Sequence, residues 1–138
     1  AVMSDAAPSP RIAFVDASAL VALADRDDIS HQAAADAYQD FLRSGFLLFT
    51  TDLAFTTAHQ LILAALGPSA ARSWLAQCAI HIEAVTTQDL EEGRRKVETG
   101  NAPSSAPLCD AIHLAVLDRL SVTYVFAVDR QFLGMLDG

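Results

Sequence analysis

Short apolar runs alternate with longer stretches of helical period along this chain. The first run, Ile12 to Val15, closes on Asp16. Leu20, Val21 and Leu23 then begin a helix that Ser18 can cap. After the polar break "DRDDIS", residues 30–43 carry Ala34, Ala37, Tyr38, Phe41 and Leu42 at helical spacing. Gly45 ends that helix, and "FLLFT" gives a second strand. Asp52 stands where an N-cap belongs, and "LAFTTAHQLILAAL" continues as a helix. Gly67–Pro68 stops it and starts the next, around Trp74. "IHIEAV" alternates as a short strand. "TTQDLEEGRRKVE" reads as a helix with capping residues first and bases late, as the helix dipole prefers. "TGNAPSSAP", residues 99–107, is the clearest loop. A helix over about 109–120, the strand "TYVFAV" and a short helix after Asp129 complete the pattern.

Strands that alternate with helices predict an α/β fold, with a small, mostly parallel sheet covered on both faces. Residues 11–138 are expected to form one domain. Residues 1–10, "AVMSDAAPSP", read as a loose tail, in which Ala1 and Val2 ahead of Met3 look like a cloning remnant.

Hydrophobic residues make up 52% of the chain, enough for a packed core and against disorder. Every apolar run is broken well before the roughly 18 residues of a membrane helix, so no membrane partner is expected. No basic region precedes an apolar core at the N-terminus, so no secretory leader is expected. Cys78 and Cys109 lack zinc-like spacing and read as small buried hydrophobes in a reducing cytoplasm, with a disulfide between them as the alternative.

The net charge of −8 disfavours binding of nucleic acid through a broad basic surface. It leaves room for a nucleic-acid enzyme, because carboxylates that hold cations look acidic while the metals reverse the local field. Ligands of open parallel sheets bind beyond the carboxyl ends of the strands. Asp16 and Asp129 both follow apolar strands, and Asp110 opens a helix after the long loop. Three carboxylates from distant parts of the chain can meet there. Like charges that close need a cation or a shared proton, and hard oxygen donors suit Mg²⁺ or Mn²⁺. Each acid also has a purely local reading, as a helix cap or first-turn residue.

"FVDASALVAL", "TTDLAFTTAHQLILAALG", "LCDAIHLAVLDRL" and "VFAVDRQF" occur in an order and spacing that resemble the PIN-domain ribonucleases, and among them the VapC-like toxins of toxin–antitoxin modules. "ISHQAAADAY" resembles that family's second helix. The resemblance runs from Arg11 to Leu136. It implies a three-layer α/β/α sandwich and a divalent-metal-dependent endoribonuclease that hydrolyses RNA phosphodiester bonds. It also implies Mg²⁺ or Mn²⁺ held by Asp16, Asp110 and Asp129, a cognate antitoxin and a homodimer. Ser18 matches a small hydroxyl residue beside the first acid.

One family acid is missing. The Glu of the helix after the second strand falls on Thr57, which offers a hydroxyl without charge. Weakened catalysis is one expectation; the alternative is an impaired PIN module that binds RNA or a protein partner. Ala127 and Pro107 also depart from the family's usual Ser or Thr. His113, three residues after Asp110, can line the site or be a hydrogen-bonded core residue. Arg130 can reach a substrate phosphate or remain a surface residue. Arg94, Arg95 and Lys96 read as a solvated helix face. A phosphatase or receiver domain of another family fits less well. Ser18 stands where a dehalogenase-type phosphatase has its second acid, and the only Lys, Lys96, is in a helix.

Overall fold

The computed structural model describes residues 11–103 and 105–136, so the expected N-terminal tail lies outside the described residues. β1 (Ile12–Val15) is the centre of the molecule. A strand buried on both faces reads as a continuous apolar run, and Ala13, Phe14 and Val15 are all buried. α1 (Ala17–Ala24) and α2 (His31–Arg43) follow, then β2 (Leu47–Thr51), α3 (Asp52–Leu66), α4 (Pro68–Gln77) and β3 (His81–Glu83). α5 (Thr87–Glu98), α6 (Leu108–Leu120), β4 (Tyr124–Phe126) and α7 (Arg130–Leu136) complete the chain.

The four strands form one sheet in the order β3-β2-β1-β4, and every pairing is parallel. Phe14 sits opposite Phe49 on one side and Val125 on the other. α1 packs on α2 and α3, and α3 on α4, while α5 and α6 lie against each other. This is the α/β sandwich that the alternation of elements predicts. Phe14, Phe49, Phe126 and Phe132 anchor the core, with the Phe14 and Phe132 rings edge to face at 6.3 Å.

α5 and α6 approach closely because of one residue. A Cβ at Gly93 would stand 2.7–2.9 Å from the side chain and backbone of Ile112. Asp89, buried on the same helix, receives two hydrogen bonds from Arg119 of α6, at 2.9 and 2.8 Å. It also closes a capping box with Thr86. Arg119 holds the Asp89 carboxyl below its ordinary range, since it favours the charged form.

One helix start chooses between two candidate caps of the sequence reading, and a second differs from it. Ser18 does not cap α1; Asp16 does, because its carboxylate accepts the Ser18 N–H. Asp52 is the first residue of α3 and Thr51 is its cap, accepting from the Ala54 N–H. In each case the residue that leaves its strand already has the extended backbone a cap requires. β4 also stops at Phe126, so Asp129 lies three residues past the strand rather than on its end. Among the described residues, no helix is long and apolar enough to cross a membrane.

Candidate active site

Because all strands run the same way, the residues that follow β1, β2 and β4 meet along one edge. Asp16 is held there on every side. Its N–H donates to the Phe126 carbonyl (2.9 Å), and its Oδ2 accepts from the Ser18 N–H (3.2 Å) and hydroxyl (2.7 Å). Only 7% of it is exposed. The carbonyl just before it, on Val15, accepts the buried Thr50 hydroxyl at 2.7 Å.

The Ser18 oxygen in turn accepts from the N–H groups of Val128 (3.1 Å) and Asp129 (3.3 Å). One hydroxyl thus ties the first acid to the backbone of the last. Its proton and lone pairs are engaged within the protein, so Ser18 orients the acids. Asp129 is half-buried, and its Oδ1 accepts the Gln131 N–H at 3.0 Å.

Asp110, in the first turn of α6, has no comparable anchorage. It is 6% exposed, and its Oδ2 is buried with no hydrogen-bond partner. Its Oδ1 receives only a weak contact from the Cys109 thiol, 3.7 Å away. Burial, followed by the charges of Asp16 and Asp129, pushes its pKa up to about 6. The same causes, burial first and then the Asp110 and Asp16 charges, push the Cys109 thiol up. Both cysteines are free. The three acids therefore share one electrostatic environment.

A buried carboxylate oxygen without a donor, beside two further carboxylates, fits a hard divalent cation in donor type and charge. Among the described residues, no three or more Asp, Glu, His or Cys groups are gathered into a ready coordination shell. Asp16, Asp110 and Asp129 would hold such an ion with water completing its ligand set.

The remaining predicted residues fall in different places. Thr57 is half-buried on α3, and its hydroxyl donates to the Leu53 carbonyl one turn earlier (2.8 Å). His113 is 3% exposed and lies beneath the edge, not on it: its ring packs on Phe14 at 4.8 Å and meets Phe132 edge-on at 6.4 Å. Burial lowers its pKa, opposed by the nearby Asp16 charge. Arg130 is exposed at the start of α7, one residue from Asp129. Arg94 and Arg95 pair with Glu98 and Glu92 on an exposed face, as a solvated helix predicts. The sequence reading passed over Thr50 and Thr51, whose signal was a strand, "FLLFTT", that closes on two hydroxyls.

No family model and no curated protein matches the chain. Its structure is similar to that of Mycobacterium tuberculosis VapC20, a toxin that cleaves the sarcin–ricin loop. The TM-score is 0.73 at 20% sequence identity, over 88% of this chain and 93% of that one. At that identity the likeness is one of architecture: the chain has a VapC-like PIN fold.

Proposed function

We propose that this protein is a divalent-metal-dependent endoribonuclease, the toxin of a toxin–antitoxin pair. The observation that carries this reading is Asp110: a buried carboxylate oxygen without a donor, next to Asp16 and Asp129 at the carboxyl edge of a parallel sheet. Such an arrangement is unfavourable as a purely structural feature and becomes favourable around a cation. When bound, Mg²⁺ or Mn²⁺ supplies positive charge that offsets the carboxylates and polarises water and the phosphodiester. The chain supplies the rest. Ser18 fixes Asp16 against the backbone of Asp129, and exposed Arg130 would meet a phosphate of the RNA. On this reading the partners are RNA, a cognate antitoxin and a second copy of the chain.

Catalysis is expected to be weak. α3 carries no acid after its first residue, Asp52, and the Thr57 hydroxyl is engaged by its own helix. Three carboxylates suit one Mg²⁺ that retains several waters better than a pair of ions. That same observation favours the second reading, a PIN module that binds RNA or a protein partner without cutting.

The test incubates the purified protein with single-stranded and structured RNA plus Mg²⁺ or Mn²⁺, beside Asp16→Asn and Asp110→Asn variants. Cleavage by the parent chain that both substitutions abolish is the expected result. Cleavage that survives in both variants overturns the site, and RNA binding without cleavage under either metal favours the second reading.

A further inference from the structure

Asp16 and Asp129 are fixed by Ser18, but Asp110 has no strong hydrogen bond of its own. Its position must come from the helix that carries it. Among the described residues, two side chains of α6 make hydrogen bonds to other elements. One is Arg119, whose pair with Asp89 joins α6 to α5 at the far end. The other lies one turn after Asp110: His113 Nε2 and Thr51 Oγ1 are 2.7 Å apart, both buried.

Residues three apart share a helix face, so the fix applies where Asp110 sits. Thr51 is the last residue of β2, and its neighbour Thr50 donates to the carbonyl of Val15, the residue before Asp16. Two buried hydrogen bonds, joined through adjacent Thr50 and Thr51, thus link the helix of Asp110 to the strand end that presents Asp16. The aromatic rings of Phe14 and Phe132 hold the imidazole in place.

We propose that His113 is a positioning residue, which through Thr51 sets the separation of Asp110 from Asp16 and so the affinity of the site for its cation. This inference rests on the reading of Asp16, Asp110 and Asp129 as a metal site. Neither His113 nor Thr51 touches the ion or the RNA in this role.

The probe is Mn²⁺ alone, titrated calorimetrically into the full chain at one pH, with melting temperatures recorded alongside. Thr51→Val and His113→Phe remove the hydrogen bond while keeping side-chain volume. Both should weaken Mn²⁺ binding roughly 10-fold, the effect typical of losing a ligand's support. Thr51→Ser keeps the hydroxyl and should bind as the parent does. Thr86→Val removes the cap of α5, a helix that carries none of the three acids, and controls for loss of a cap and of stability. It should lower the melting temperature and leave the affinity unchanged.

Parent-like Mn²⁺ affinity in Thr51→Val, or an equal loss in Thr86→Val, overturns the proposal. Should His113→Phe fail to fold, the contrast between Thr51→Val and Thr51→Ser decides the matter. Failure of the site itself looks different: Asp16→Asn and Asp110→Asn would then bind Mn²⁺ like the parent, or the parent would not bind it.

Discussion

The Ser18 hydroxyl lies 2.7 Å from Asp16 Oδ2 and gives that carboxylate its one side-chain donor among the described residues. Because the same oxygen accepts from the Val128 and Asp129 N–H groups, Ser18→Ala removes three interactions at once. The expected loss is about 1–3 kcal/mol, the range for a charge-assisted bond with part-buried donors left unmet. Ser18→Thr should retain most of it. Urea denaturation measures the change; an alanine variant with the parent's midpoint and the parent's Mn²⁺ affinity would remove Ser18 from the site's scaffold.

Asp110 gives the folded protein a pH dependence of unusual sign for a carboxylate. Its pKa stands at about 6 in the folded chain against an ordinary 3.8. Between those values the folded state holds a proton that the unfolded state has released. Stability from this group is therefore fully present below the unfolded value and is lost as pH rises through 6. Solvent near half-exposed Asp129 screens the effect to about 1–2 kcal/mol. Denaturation midpoints between pH 4 and 7 should show this slope in the parent and lose it in Asp110→Asn. Saturating Mn²⁺ should flatten it as well, since the cation favours the ionised form. A slope that persists unchanged in Asp110→Asn assigns it to another group.

Two contacts fix α5 against α6: Asp89 with Arg119 at the far end of α6, and Gly93 against Ile112 in its first half. Arg119→Ala leaves the buried Asp89 carboxylate with only its cap partners and should destabilise the fold by about 2–4 kcal/mol. The Asp89 contribution has the opposite pH sense: its pKa is lowered, so its stabilisation is present above 3.8 and lost as pH falls through the folded value. Gly93→Ala should also destabilise, by about 1–3 kcal/mol, despite alanine's better helix propensity, because the added carbon meets the Ile112 backbone. A stabilised Gly93→Ala protein would show that α5 can move away from α6 at little cost.

Thr57→Glu tests the missing acid directly. The substitution gives up one hydrogen bond to the Leu53 carbonyl and adds a carboxylate on α3. If Thr57 occupies the place of the second acid, Mn²⁺ affinity should rise ~10-fold and RNA cleavage should increase. Unchanged binding would mean that Thr57 does not face the acids.

Much of the fold could be read from pattern because β1 is buried on both faces and α2 on one. "IAFV" and the 30–43 periodicity each leave little choice. The caps were ambiguous where two competent residues lie close together. Asp16 and Ser18, or Thr51 and Asp52, have similar cap preferences, and only the backbone path off the strand separates them. At the site, the acids were visible because apolar runs that lead to a carboxylate, and a helix opened by one after the long loop, are conspicuous. Their supports were not. Ser18 reaches residues 110 and 111 positions away, and His113 finds Thr51 across 62. No local spacing encodes such contacts. The imidazole, ambiguous in sequence, is a core residue in space, and its hydrogen bond points to the strand end that the periodicity marked only as apolar.

The strand order carries a consequence in time. β4, last to be synthesised, pairs with β1, the first, and the Asp16 N–H is satisfied by the Phe126 carbonyl. Asp129 follows β4, and Ser18 holds its backbone beside Asp16. A nascent chain on the ribosome, however much of its helical layers has formed, holds Asp16 and Asp110 without their third companion until β4 emerges. The third acid can join the other two only once β4 and the turn after it have been made, so a polypeptide truncated before β4 lacks Asp129.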